Sequence, residues 1–166
     1  MSNKNTDFQS DYGKKSTKGI KGLFNSFVYA FSGVFHCILN ERNIRIHIVA
    51  ALFVFTLSPF YNFTNAQYAV LLIICGLVIS LEMINTAVEA ICDYISPNYS
   101  EMARVAKNLV AGAVVIAACV ALIIGMLFFG DLDIIFKILG FLYDRPLVAI
   151  MFLCTVISSI LFIKDK

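Results

Sequence analysis

Apolar residues along this chain fall into four long runs: Ile46–Phe60, Ala66–Ile91, about Val105–Phe129, and Leu147–Ile163. At ~1.5 Å per helical residue, the second and third runs cross a hydrocarbon core of ~30 Å with length to spare. The first and fourth lie at the short end and sit straight or thin the bilayer. A different pattern precedes them. Ile20, Leu23, Phe24, Phe27, Val28, Phe31, Val34, Phe35 and Ile38 recur every three or four positions, which predicts a helix with one apolar stripe. Lys14, Lys15, Lys18 and Lys21 lead into it, as suits a helix lying on an anionic membrane surface. A fifth helix packed on the bundle is the plainer reading of the same stripe. In the third run, Ala113, Ala117, Ala121 and Gly125 recur every four residues and line one face, a signal for close helix packing within or between chains.

Composition turns this pattern into a membrane protein. The 166 residues are 60% hydrophobic and 14% charged, with a mean hydropathy of +0.83. A soluble fold has no surface for that much apolar material, and a bilayer supplies one. The length suits one compact domain. Met1 to Lys21 is polar and carries no apolar segment of the signal-peptide kind. Cys37, Cys75, Cys92, Cys119 and Cys154 stand singly, which suggests neither a zinc site nor a disulfide framework. The net charge of +2 matters less than its placement. Lys4, Lys14, Lys15, Lys18, Lys21, Arg42 and Arg45 precede the first span. Arg104 and Lys107 follow the second, and Lys164 and Lys166 follow the fourth. The turn Tyr61–Asn65 holds no basic residue, and Gly130–Pro146 sets Lys137 and Arg145 against three aspartates. The positive-inside rule then places both termini and the 92–107 segment in the cytoplasm, with four spans between them.

The second run ends in LEMINTAVEAICDY (81–94), which is not hydrocarbon. With Glu82 set at zero on a helix of about 100° per residue, Asn85 falls at about −60°, Glu89 at about −20° and Asp93 at about +20°. Such a stripe faces protein, water or a cation rather than lipid, and a carboxylate at that depth is a functional hypothesis by default. A polar seam fastening helices together is the structural alternative. Three repelling carboxylates favour a positive partner instead, and Mg²⁺ takes oxygen ligands, keeps several waters and is held by one or two carboxylates plus phosphates. Other polar groups lie at the same membrane face: Glu41, Asn43, Arg45 and His47 in NERNIRIH, then Arg104, Lys107 and Asn108 on one face of ARVAKNLVAG. Carboxylates for Mg²⁺, a lysine for phosphate oxygens and a further carboxylate as general base are the parts of a phosphoryl-transfer site. No glycine-rich phosphate loop is present, so a nucleotide site here is not of the P-loop type.

These residues carry a resemblance. YAFSGVFHCILNERNIRIH (29–47), SLEMINTAVEAICDYISPNYSEMARVAKN (80–108) and AGAVV (111–115) resemble the small bacterial integral-membrane lipid kinases, the diacylglycerol kinase and undecaprenol kinase family. The resemblance covers roughly Phe27 to Phe129. It implies an all-α membrane protein, with a surface helix and three core spans at 20–129, after a polar basic tail at 1–19. Residues 130–166 then form an extension with a fourth span. It implies a homotrimer with sites built between subunits, transferring the γ-phosphate of MgATP to a lipid alcohol at the cytoplasmic membrane surface. Membrane lipids are expected partners and nucleic acid is not. Glu82 matches the general base and Asn85 its polar neighbour, while Glu41 and Glu89 match Mg²⁺ ligands. Lys107 matches the phosphate-contacting lysine. Tyr29, Asn98, Tyr99 and Asn108 match nucleotide-contacting positions alongside Glu41 and Glu89, and Asp93 matches a supporting acid. Arg45 and His47, with Glu82, fall at the substrate end, and His47 resembles the branch that favours undecaprenol over diacylglycerol. Asn108 stands where the family usually has aspartate, which keeps an acceptor and loses a charge. Two alternatives stay open: a small ion or proton transporter, whose acids should lie near mid-membrane, and a non-catalytic scaffold of the same fold.

Overall fold

The computed structural model describes residues 20–96 and 100–164, and every element among them is helical. The chain divides into two units, Met1–His36 and Cys37–Lys166. Helix α1 runs Ile20–Asn40, where the three-to-four residue stripe predicted it. In the first unit, among the described residues, many of its apolar side chains are exposed: Ile20 is 88% exposed, and Phe24, Phe27, Phe31 and Phe35 are also exposed. By length and composition α1 could also cross a membrane.

The second unit is a helical array of long apolar elements. Helix α2 spans Arg42–Leu57 and tightens into a 3-10 turn at Ser58–Tyr61, where Pro59 sits at the turn's start. Proline is tolerated there because the first turn of a helix leaves its N–H groups unused anyway. Asn62 then takes a left-handed backbone (φ 48°), which asparagine tolerates better than most residues, and the chain reverses. Helix α3 spans Asn65–Ile95 and starts with a capping box: Thr64 accepts from the Gln67 N–H, and the Gln67 side chain accepts from the Thr64 N–H. Helix α4 spans Glu101–Phe129, capped by Ser100, whose hydroxyl accepts from the Ala103 N–H. Gly130 ends it. A Cβ at that position would lie 2.5 Å from the Met126 carbonyl oxygen, so a side chain there would force the backbone to move.

The segment Gly130–Pro146, read from its charges as a connection, contains a helix, α5, at Leu132–Asp144. Asp131 caps it by accepting from the N–H groups of Asp133 and Ile134. At ~1.5 Å per residue α5 is about 20 Å long, too short to span. Its polar positions Asp133, Lys137 and Asp144 fall at helical spacing and leave an apolar remainder, the pattern of an interfacial helix. Helix α6, Pro146–Lys164, is the fourth run of the sequence.

Helices α3 and α4 form the most extensive pairing among the described residues, and α2 packs on α3 and on α6. The core is small: Ile44 from α2, Leu71, Ile74 and Val78 from α3, and Val114 and Ala117 from α4. Most large apolar side chains face outward, as lipid permits. The register of small residues is only partly used within the chain. Ala117 is buried, whereas Ala121 and Gly125 line an apolar cavity of about 280 Å³ between α2, α3 and α4. At the end where α2 turns into α3, Tyr61, Phe63, Tyr68, Phe128 and Phe129 cluster with ring centroids 4.8–5.9 Å apart. Tyr61 Oη donates to the main-chain carbonyl of Phe129 at 3.2 Å, satisfying an acceptor that the end of α4 leaves open.

Thr64→Ala removes the α3 cap, and loss of such a cap costs about 1 kcal/mol. The expected result is a measurable drop in thermal unfolding midpoint in detergent, with Thr64→Ser close to the parent.

Candidate functional site

The inner face of α3 is a single line of residues that changes character along its length. Leu71, Ile74 and Val78 are buried apolar residues, and one turn later come Glu82, 3% exposed, and Asn85, 7% exposed. Spacings of three and four keep all five on one side of the helix. Beyond them Glu89 and Asp93 are exposed. The polar stripe predicted from the sequence therefore runs from the protein core outward to water.

Each member has a distinct environment. Among the described residues, no hydrogen bond or ion pair engages the Glu82 carboxylate. Its main-chain carbonyl accepts from Thr86 Oγ1 at 3.1 Å. Asn85 Nδ2 donates to Glu89 Oε1 at 2.9 Å, while Asn85 Oδ1 is buried without a partner. A buried polar atom left unpaired is destabilising, so its persistence marks a place that awaits another group. Asp93 Oδ1 accepts from Lys107 Nζ at 2.5 Å, joining the end of α3 to the start of α4. The lysine is one-third exposed, so the acid holds it in place without removing it from water. Arg104, on the same face of α4, pairs with Glu101 instead. Asn108 is exposed next to Lys107.

Residues on α2 complete this end of the unit. Glu41 interrupts the helical path between α1 and α2. Its backbone is extended (φ −108°, ψ 118°) and its N–H donates to the Cys37 carbonyl at 2.8 Å. It occupies the N-cap position of α2, yet its carboxylate makes no capping bond, which leaves both oxygens for another partner. His47 lines the apolar cavity opposite Val78, one turn from Glu82 along α3. Ala50, Ala51 and Cys75 continue the same wall. Arg45 is buried and donates from Nη1 to the main-chain carbonyl of Phe162 in α6 at 3.1 Å, a contact that the sequence did not signal.

Glu41, Glu89, Asn85 and Glu82 are oxygen donors of the kind Mg²⁺ prefers, with two carboxylates unengaged among the described residues, those of Glu41 and Glu82, and one orphaned amide oxygen. Among the described residues no three His, Cys, Asp or Glu side chains of one chain converge as a complete metal cage. Mg²⁺ in phosphoryl-transfer sites takes few protein ligands and fills the rest with water and phosphate, so the donor set fits the ion. Tyr29 belongs to α1 in the first unit and is exposed. Asn98 and Tyr99 lie outside the described residues.

The family model for prokaryotic diacylglycerol kinase matches residues 28–129. The undecaprenol kinase of Bacillus subtilis is 34% identical over 107 residues, covering 64% of this chain and 87% of that protein. The diacylglycerol kinase of Haemophilus influenzae is 31% identical over 115 residues, covering 68% of this chain and 98% of that protein. The diacylglycerol kinase of Synechocystis is 38% identical over 104 residues, 62% of this chain, and the chain spans 59% of that protein's length. Glu41, Arg45, His47, the α3 stripe and Lys107 all lie inside the matched span, and the chain belongs to the prokaryotic diacylglycerol kinase family, and so to the membrane lipid kinases.

Proposed function

We propose that this protein transfers the γ-phosphate of MgATP to the hydroxyl of a membrane lipid, with undecaprenol preferred over diacylglycerol, at the cytoplasmic face of a bacterial membrane. The observation that carries the reading is Glu82. Its carboxylate is buried, unengaged among the described residues, and placed where the apolar cavity meets the polar stripe. A lipid alcohol has the same division: a hydrocarbon body that belongs beside Ala50, Ala51 and Cys75, and one hydroxyl that needs a base.

In this reading Glu82 accepts the hydroxyl proton as the lipid oxygen attacks the γ-phosphorus, and the bond from that phosphorus to the β,γ-bridging oxygen breaks in line. Asn85 orients Glu89 by its amide bond and offers its free oxygen to the incoming groups. Glu41 and Glu89 would hold Mg²⁺, which when bound offsets the negative charge of the polyphosphate. Lys107, steadied by Asp93, faces the phosphate oxygens. Tyr29, Asn98, Tyr99 and Asn108 contact the nucleotide. Arg45 and His47 stand at the lipid end. A homotrimer supplies the remaining contacts from a neighbouring copy. Residues 20–129 form the kinase core, with α1 on the cytoplasmic leaflet, both termini cytoplasmic, and residues 130–166 as an extension.

The direct test is purified protein in lipid vesicles with MgATP and either undecaprenol or diacylglycerol. Phosphorylated undecaprenol should form faster. No phosphorylated product from either alcohol would overturn the reading, and a faster reaction with diacylglycerol would overturn the substrate assignment alone.

Glu82→Gln keeps the shape and removes the base. Turnover should fall by ~10²–10⁴, the usual effect of losing a general base, while ATP binding is retained. Turnover within twofold of the parent would reject the role.

Glu41→Ala and Glu89→Ala each remove an oxygen from an ion that has few protein ligands. Both variants should need several-fold more Mg²⁺ for half-maximal lipid phosphorylation, about tenfold by the usual effect of disturbing a metal site. An unchanged Mg²⁺ titration in both would remove them from the metal site.

A further inference from the structure

Arg45 lies in the first turn of α2 and is only 6% exposed. A guanidinium removed from water is costly unless its donors are engaged. Here Nη1 donates to the Phe162 main-chain carbonyl at 3.1 Å, and the guanidinium carbon lies 5.8 Å from the centre of the Phe162 ring. Phe162 is in the last turn of α6, where the final carbonyls have no partner within the helix and the helix dipole is negative. One cation therefore meets an open acceptor, a negative helix end and an aromatic face. A flat, forked guanidinium can satisfy all three at once, which a lysine ammonium cannot.

The partners come from different parts of the chain. Arg45 belongs to NERNIRIH, inside the span that matches the family, whereas α6 lies beyond residue 129. Helix α6 is seated against α2 along its length. Phe152 meets Phe53 edge-on at 6.0 Å, and Ser158 and Cys154 line a groove with Ile48, Val49 and Leu52. The contact at Arg45 is where this seating reaches the catalytic end. Glu41 is one helical turn from Arg45, and the Arg45 N–H donates to the Glu41 carbonyl at a long 3.5 Å. His47, two residues on, lines the cavity below Glu82. Glu41 has an extended backbone and no capping bond of its own, so little besides the neighbouring turn of α2 fixes its carboxylate.

We infer that α6 is a positioning element for the kinase site: the end of α6 at Phe162 latches Arg45, and Arg45 fixes the turn of α2 that carries Glu41 and His47. The inference rests on the reading of Glu41 as an Mg²⁺ ligand. It makes Arg45 a positioning residue that ties α2 to α6 through Nη1. The extension is then part of the working enzyme, acting on the metal site through one turn of helix.

The test uses the full-length protein in lipid vesicles. Phe162→Ala removes the ring from the latch, and Arg45→Lys keeps the charge but loses the fork. Each should raise the Mg²⁺ concentration for half-maximal lipid phosphorylation by about tenfold, at the low end for partners that orient metal ligands, and in Phe162→Ala kcat at saturating Mg²⁺ should stay within about twofold. Phe152→Ala loosens α6 away from the latch and should leave the Mg²⁺ titration unchanged. A second measurement needs no activity. Spin labels on non-natural residues at positions 42 and 164 should report one narrow distance, which broadens in Arg45→Gln. An unchanged titration in both latch variants, or an equal shift in Phe152→Ala, would overturn the positioning role. A broad distance distribution in the otherwise unaltered chain would overturn the latch. A parent inactive on every lipid alcohol would instead reject the kinase reading and the positioning role with it, and the distance would still decide whether the latch exists.

Discussion

A main-chain carbonyl at the end of a helix has no partner within that helix, and lipid offers it none. This constraint organises the second unit. Helix α2 is flanked by two donors that meet it: Tyr61 Oη at the turn, on the carbonyl of Phe129, and Arg45 at the opposite end, on the carbonyl of Phe162. Two helices that follow later in the chain are thus tied to the first span. Hydroxyls inside the spans solve the same problem locally. Thr56, Thr155 and Ser159 donate to carbonyls four residues back, on Leu52, Met151 and Thr155, and so carry no unpaired donor into the hydrocarbon.

The α3 stripe differs from these self-satisfied hydroxyls. Glu82 and Asn85 are as well buried as the leucine and valine that precede them, yet one has an unengaged carboxylate and the other an orphaned amide oxygen. Buried polar atoms left open in this way suit an external partner. The apolar cavity lies one turn away along α3, at Val78, and the pair of Asp93 and Lys107 marks where the stripe reaches water. Exposure of the charged groups thus increases from Glu82 outward, an arrangement that suits a reaction between a lipid hydroxyl and a soluble polyphosphate.

Much of this could be read from the sequence because helical periodicity is strict. Glu82, Asn85, Glu89 and Asp93 share a face at any depth, and the apolar runs 66–91 and 147–163 fall within α3 and α6. The polar ends were harder to read. NERNIR opens α2 and EMAR opens α4, so hydropathy alone starts both helices late. Helix α5 was missed because Asp131, Asp133, Lys137, Asp144 and Arg145 break its apolar run, although Asp131 in the N-cap position and charges at three-to-four spacing were legible signs. The small residues of α4 pointed to close packing, but Gly125 has open space where a Cβ would stand. Its spacing was legible and its partner was not, because periodicity reports a face without saying what covers it. The Arg45–Phe162 contact joins residues 117 positions apart, and no local pattern encodes such a distance.

The short helix α5 has a consequence beyond its own packing. It is too short to cross the bilayer, so it turns the chain around and sends α6 back to the end where α2 begins. In the proposed arrangement, a core of three crossings delivers whatever follows it to the far side of the membrane. Here the return leg brings the end of α6 to the side where the phosphate donor would bind. A folded domain joined after Lys164 would then share the compartment of the nucleotide, and the parity of the polypeptide would be changed without altering a residue of the polar α3 stripe.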